Sequence, residues 1–343
     1  MKLLKKWGKW VSLLVVSFLV LIVVSGLIFR WWGPQPTSPP GKLIDINGTK
    51  LHILAEGQKS DRPTVVIEAG GGLSVPFGHW LSEGLKDHAR VVRYDRAGLG
   101  YSDECKTPRN PETVAQELHD LLQKAGESPP YIMMGHSIGG PYIRVFTERY
   151  PDEVVGMVFL DATHPDHIER YNAPRKTDFK YKGYLWTIKA QAVLADMGVL
   201  AVFDKFVGTP YYGPGLPEEI NARFKEVLYD GKSFRGYAQE MEYYYDILER
   251  SGQLEDFGAL PILAFNAVAE DPRQRKLDAE KFDSIRSLGH HKEYAELSTN
   301  GKYIGIPGNH VTIFTQKENA AIICKEVLRL LENLEIKSQN STK

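Results

Sequence analysis

The chain holds only two cysteines in 343 residues, Cys105 and Cys324, far apart and without metal-ligand spacing. Neither a disulfide framework nor a thiolate zinc site can be built from them. A charge excess is also missing, with 42 Lys and Arg against 43 Asp and Glu. No basic stripe recurs beyond the N-terminus, so nucleic acid is not an expected partner. No glycine-rich stretch is followed by Lys-Ser or Lys-Thr, which removes a phosphate-binding loop, and the His290-His291 pair has no third residue at metal spacing. At 43% hydrophobic and 25% charged residues the composition is ordinary for a globular chain of one large or two modest domains.

One long apolar run is present. Trp10 to Phe29 is 20 residues without a charge, which at about 1.5 Å per residue matches the roughly 30 Å hydrocarbon core of a bilayer. Lys2, Lys5, Lys6 and Lys9 precede it and only Arg30 follows closely, so the positive-inside bias puts the N-terminus in the cytoplasm and the body outside. Trp7, Trp10, Trp31 and Trp32 bracket the run where interfacial rings belong. Residues 1–33 are expected to be a single-pass anchor in the cell membrane; the small residues Val24-Ser25-Gly26 leave open a cleaved signal peptide and a secreted body. Without those residues the basic count drops from 42 to 37 against 43 acids, a formal −6. Residues 34–42 are proline-rich and read as a stiff extended stalk.

From Leu43 strands and helices alternate. Residues 43–46 and 50–54 flank Asn47-Gly48, the signature of a hairpin. Short apolar runs at 64–68, 91–94, 131–134, 154–160 and 261–265 suit buried parallel strands, with a weaker one at 302–306. Thr113 and Gln116 resemble a capping box for a helix ending at Gly126, and 320–334 closes the domain as a helix. The expected class is α/β: a mostly parallel sheet with helices on both faces, built from 43–161 and 259–336. Residues 337–343 form a polar tail. The stretch 162–258 is far too long for a plain connection and is expected to be a helical lid, dense in aromatics such as Tyr181, Tyr184, Trp186, Tyr211, Tyr212 and Tyr243–Tyr245, with one helix over 188–203.

Gly135-His136-Ser137-Ile138-Gly139 follows the fifth strand and precedes a helix beginning near Pro141. In that context G-x-S-x-G marks a strained turn that exposes a nucleophilic serine, the glycines letting strand and helix approach. Two further motifs accompany it. Asp95-Arg96-Ala97-Gly98-Leu99-Gly100-Tyr101-Ser102 follows a strand, and Gly308-Asn309-His310 stands before the last helix. With these, residues 42–335 resemble the α/β-hydrolase superfamily, whose esterase, haloperoxidase and aminopeptidase branches share the D-R-x-G-x-G-x-S loop.

The resemblance implies a Ser-acid-His order with Ser137 as nucleophile and His310 as base, Asp95 and Arg96 being structural. It implies an oxyanion hole made by the N–H groups of Ile138 and Gly71. The loop carrying Gly71, Glu68-Ala69-Gly70-Gly71-Gly72, departs from the family's usual start by having Ala69 where a histidine stands. Two acids compete for the third position: Asp161, directly after its strand, and Asp271, with Glu270 beside it, at the more usual family position. His136 is expected to pack or orient. The expected activity is hydrolysis of a carboxylic ester, with an amide as the less favoured substrate, on an apolar acyl or aryl small molecule, through an acyl-enzyme that needs no metal or organic cofactor. A proline-aminopeptidase-like or perhydrolase activity shares the same core, as does a catalytically silent binding protein. Epoxide hydrolases and haloalkane dehalogenases place aspartate where Ser137 stands.

Overall fold

The computed structural model describes residues 2–32, 37–208, 213–254, 256–268 and 291–341. Eight strands form one sheet: β1 (Lys42–Ile46), β2 (Thr49–Glu56), β3 (Thr64–Glu68), β4 (Val91–Asp95), β5 (Tyr131–His136), β6 (Val154–Leu160), β7 (Ile262–Val268) and β8 (Gly301–Pro307), in the order β1-β2-β4-β3-β5-β6-β7-β8. Asn47 and Gly48, at φ 54° and 86°, turn β1 into β2, and Asp45 Oδ1 accepts from Gly48 N at 2.8 Å. These two strands run antiparallel, whereas every pairing from β4 to β8 is parallel.

Alternation along the strands supplies both faces of the sheet with apolar side chains. Ile132, Met134 and Val158 point to one face, where they meet the helices His79–Leu85 and Lys317–Ser341. Met133, Met157 and Phe159 point to the other, covered by Pro111–Ala125 and Gly139–Arg149. The chain leaves β3 toward β4 on one side and returns to β5 on the other. Crevices for ligands open at the carboxyl ends of strands at such a reversal.

Between Leu160 and Ile262 lies a helical insertion, with Phe179–Asp196, Val199–Val207, Glu218–Leu228, Gly231–Glu242 and Tyr244–Gly252 as its longer helices. The single helix expected over 188–203 is two, bent by 88°, because Gly198 at φ 72° ends the first in a left-handed residue. Two other expectations are corrected. The helix starting near Thr113 begins at Pro111, capped by Asn110 Oδ1 accepting from Thr113 N at 2.8 Å, so an asparagine rather than the Thr113–Gln116 pair starts it. The last helix runs on to Ser341 through the residues expected as a tail, since no glycine or proline interrupts it. The described part of the proline-rich segment is tied down, with Thr37 N and Oγ1 donating to Glu226 Oε2 at 3.2 and 2.8 Å.

Removing the Asn110 cap with Asn110→Ala is expected to cost about 1 kcal/mol. Urea unfolding monitored by far-UV circular dichroism measures it, and Thr113→Val should cost less because only the Thr113 main chain is used.

Candidate active site

Ser137 sits at φ 54°, a left-handed conformation in which a non-glycine residue is held only by its surroundings. Ser137 N donates to Leu160 O at 3.2 Å, and Ser137 O accepts from Gly140 N at 3.0 Å and Thr163 N at 2.9 Å. The turn admits no β-carbon on its flanks. One on Gly135 would stand 2.5 Å from Gly139 O, and one on Gly139 the same distance from Glu68 O. The two motif glycines are therefore the condition for β3, β5 and the helix Gly139–Arg149 to meet.

Asp161 follows β6 at φ 44°, and its N–H donates to Phe265 O at 2.8 Å. Its Oδ1 accepts from Ala267 N at 3.0 Å, and its Oδ2 lies 2.6 Å from His310 Nδ1. Burial pushes the Asp161 carboxyl up, but the His310 hydrogen bond, nearby His291 and the Ala267 N–H outweigh it and bring it to about 2. His291, to which no chemistry was assigned from sequence, stands with Nε2 3.6 Å from Asp161 Oδ1. Asp271, Glu270 and His290 lie outside the described residues.

Ser137, His310 and Asp161 line one cavity of about 790 Å³. Ser137 Oγ is not hydrogen-bonded to His310 here; its neighbour is Thr163 Oγ1 at 3.4 Å. Nucleophile–base hydrogen bonds are commonly loose before substrate binds. Gly70, Gly71 and Ile138 line the same cavity. Neither the Gly71 nor the Ile138 N–H has a partner among the described residues, while Gly72 N donates to Glu240 Oε2 at 3.1 Å.

What holds that loop is a buried ionic cluster. Arg96 donates from Nη1 to Glu68 Oε1 at 2.5 Å and to Ala69 O at 2.6 Å, from Nη2 to Gly70 O at 2.8 Å, and from Nε to Glu240 Oε1 at 2.5 Å. Arg96 is 2% exposed, Glu68 1% and Glu240 0%. Burial opposes the charge on Arg96, yet the two carboxylates hold its pKa well above the ordinary value. Burial also raises Glu68, since one guanidinium serves two acids. Asp95 is equally enclosed, accepting from Val75 N at 2.7 Å and Tyr101 N at 3.0 Å, with His52 Nδ1 at 2.7 Å.

His136 is buried between the loop and the histidine. Its Nε2–H donates to His310 O at 2.8 Å, the rings 4.6 Å apart, and its Nδ1 has no partner. Burial, then the neighbouring His310, lowers its pKa to about 3. Glu240, Thr163 and the Ala267 N–H carried no signal in the sequence, because each is recruited by folding from a stretch without a motif.

A family model described as alpha/beta hydrolase fold matches residues 63–199. Over 85% of this chain and 98% of its own, the epoxide hydrolase CorEH superposes with a TM-score of 0.63 at 19% identity. A thermophilic esterase from Thermogutta terrifontis does so over 84% and 97%, with a TM-score of 0.58 at 18%. The chain has the α/β-hydrolase fold. Among curated relatives, an uncharacterized Bacillus subtilis protein, YbdG, is 25% identical over 96% of this chain and 99% of its own. The human (lyso)-N-acylphosphatidylethanolamine lipase is 27% identical over 52% of this chain and 51% of its own.

Two outcomes follow for this site. Arg96→Met strands two buried carboxylates and should cost about 3–5 kcal/mol in urea unfolding, with part recovered when Glu240→Met is added. The second concerns pH. His136 binds its proton at about 3 in the fold against 6.5 in the open chain, so between those values the unfolded state holds more protons and stability falls as pH falls. His136→Gln should flatten the stability profile between 6.5 and about 4, where Asp161 remains ionised.

Proposed function

We propose that the chain is a serine hydrolase acting on carboxylic esters, with Ser137 as nucleophile, His310 as base and Asp161 as the acid. The observation that carries it is the shared cavity in which a strained, half-buried serine lies with a His310–Asp161 pair at 2.6 Å and two N–H groups without a partner among the described residues. Asp161 Oδ2 accepts a hydrogen bond from the Nδ1–H of His310 and stays ionised, which leaves Nε2 unprotonated and able to receive the proton of Ser137 Oγ. A turn of the serine side chain away from Thr163 brings Oγ to that nitrogen. Oγ then attacks the acyl carbon, the carbonyl π electrons move onto oxygen, and the N–H groups of Gly71 and Ile138 stabilise that oxyanion. Collapse expels the alcohol with the proton from His310, and water repeats the sequence on the acyl-enzyme.

Serine at the nucleophile position favours ester chemistry over that of the epoxide hydrolase it resembles in fold. The cavity's aromatic and aliphatic walls, including Tyr237, Tyr244 and Met241, favour an apolar acyl or aryl group. The helix Lys2–Trp32 serves as the anchor in the cell membrane, with the body on the outer side. Packing of that helix against the insertion supports its retention over cleavage.

Ser137→Ala and His310→Ala should each abolish turnover of an aryl ester without changing the far-UV spectrum, because they act as one unit. Asp161→Asn should lower kcat by about four orders of magnitude. Near-normal kcat in Asp161→Asn would transfer the role to Asp271. A burst of alcohol equal to the enzyme concentration before steady state marks the acyl-enzyme.

A further inference from the structure

The insertion leaves an apolar surface uncovered beside the membrane span. The helix Val199–Val207 packs along one stripe of Lys2–Trp32, covering Ile22, Val23, Ser25, Gly26 and Phe29, whereas the described side chains from Trp7 to Leu21 are exposed. Gly26 and Gly198 meet backbone to backbone, and a β-carbon on either would collide with the other's turn. Small residues at such a crossing are how helices approach closely in lipid. Arg30 Nη1 donates to Asp196 O at 2.9 Å, and Lys205 Nζ lies 5.8 Å from the centre of the Phe29 ring.

Depth follows from this contact. The apolar span is Trp7–Trp31, so Ile22 to Phe29 lies about 4 to 15 Å beyond its midpoint at about 1.5 Å per residue. That is within the outer half of a roughly 30 Å hydrocarbon core. A helix packed on this stripe occupies the same depth. Its open face carries Phe203, Phe206 and Val207, exposed by 53, 82 and 67% and spaced i, i+3, i+4. Its charges are compatible: Asp204 pairs with Lys225 Nζ at 3.0 Å, and the Lys205 stem can carry its ammonium to the headgroups. The preceding helix shows Phe179, Trp186 and Val193 at seven-residue spacing, exposed by 89, 69 and 57%. Its other side lines the cavity with Lys180, Tyr181 and Tyr184.

We propose that Val199–Val207 lies in the outer leaflet beside the span, seating the lid on the bilayer so that an ester resident in that leaflet reaches Ser137 between the lid helices without entering bulk water. This rests on the membrane-anchored esterase proposed above. Two faces of one helix, one toward lipid and one toward the cavity, give an apolar acyl chain a continuous route. A fully soluble substrate would need no such seat.

The test uses the full chain in phosphatidylcholine vesicles. Cys105→Ser leaves Cys324, 4% exposed, as the only native thiol. Single cysteines at Val16→Cys, Phe206→Cys and Asp152→Cys are labelled with an environment-sensitive dye, and the lipids carry spin labels near the headgroup or deep in the chains. The expected result is deep quenching at 16, shallow quenching at 206, and none at 152, in the turn before β6 and away from the cavity. Quenching at 16 with none at 206 overturns the seated lid and leaves the anchor standing. No quenching at 16 removes the anchor and the seat with it. In the same vesicles Phe206→Asp should lower turnover of a long-chain ester by about tenfold and leave a soluble short-chain aryl ester unchanged. Equal loss on both substrates, or loss on neither, contradicts delivery from the leaflet.

Discussion

Arg96 is enclosed with Glu68 and Glu240, and the position of the loop over Ser137 depends on that enclosure. A guanidinium without water must spend its donors on fixed acceptors, and here they are two carboxylates and the carbonyls of Ala69 and Gly70. With those carbonyls bound to Arg96, Gly71 lines the cavity and its N–H has no partner among the described residues. Glu240 belongs to the helical insertion, so the same cation also joins the roof of the cavity to its floor. Buried ion pairs of this kind are weak contributors to net stability but strong constraints on geometry.

The sheet does the rest of the assembly. β3, β5, β6 and β8 are parallel, so their carboxyl ends reach one edge, and the reversal between β3 and β5 opens the crevice there. Glu68 is paired with Gly135, which places the glycine loop beside the serine turn. Asp161 follows the next strand, and β7 holds it twice, with Phe265 O accepting from its N–H and the Ala267 N–H steadying its carboxylate. A left-handed backbone at Ser137 and again at Asp161 aims both side chains out of the sheet. Each is held there by main-chain hydrogen bonds to a neighbouring strand or turn.

Much of this was legible in the sequence because it is local. Strand periodicity, the Asn47-Gly48 turn and the serine between two glycines are each written within a few residues. What was illegible is what tertiary folding recruits from a distance. Glu240 lies in the helix Gly231–Glu242 with nothing to mark it, and its role exists only because Arg96 is buried against it. The break at Gly198 was missed for a related reason: the apolar run continues across it, and one glycine reads as a tolerated helix residue until its backbone is seen to meet Gly26. The choice of acid was open because Asp161 and Asp271 both follow strands, and strand ends alone do not say which carboxylate faces His310.

The central claim is that Ser137 is an activated nucleophile. Incubation of the full chain with a fluorophosphonate, followed by peptide mass spectrometry, tests it most directly. One phosphonyl group per chain on the peptide containing Ser137, lost in His310→Ala and blocked by an ester substrate, is the result this account predicts. An unlabelled chain, or a label on another residue with Ser137 unmodified, would contradict it.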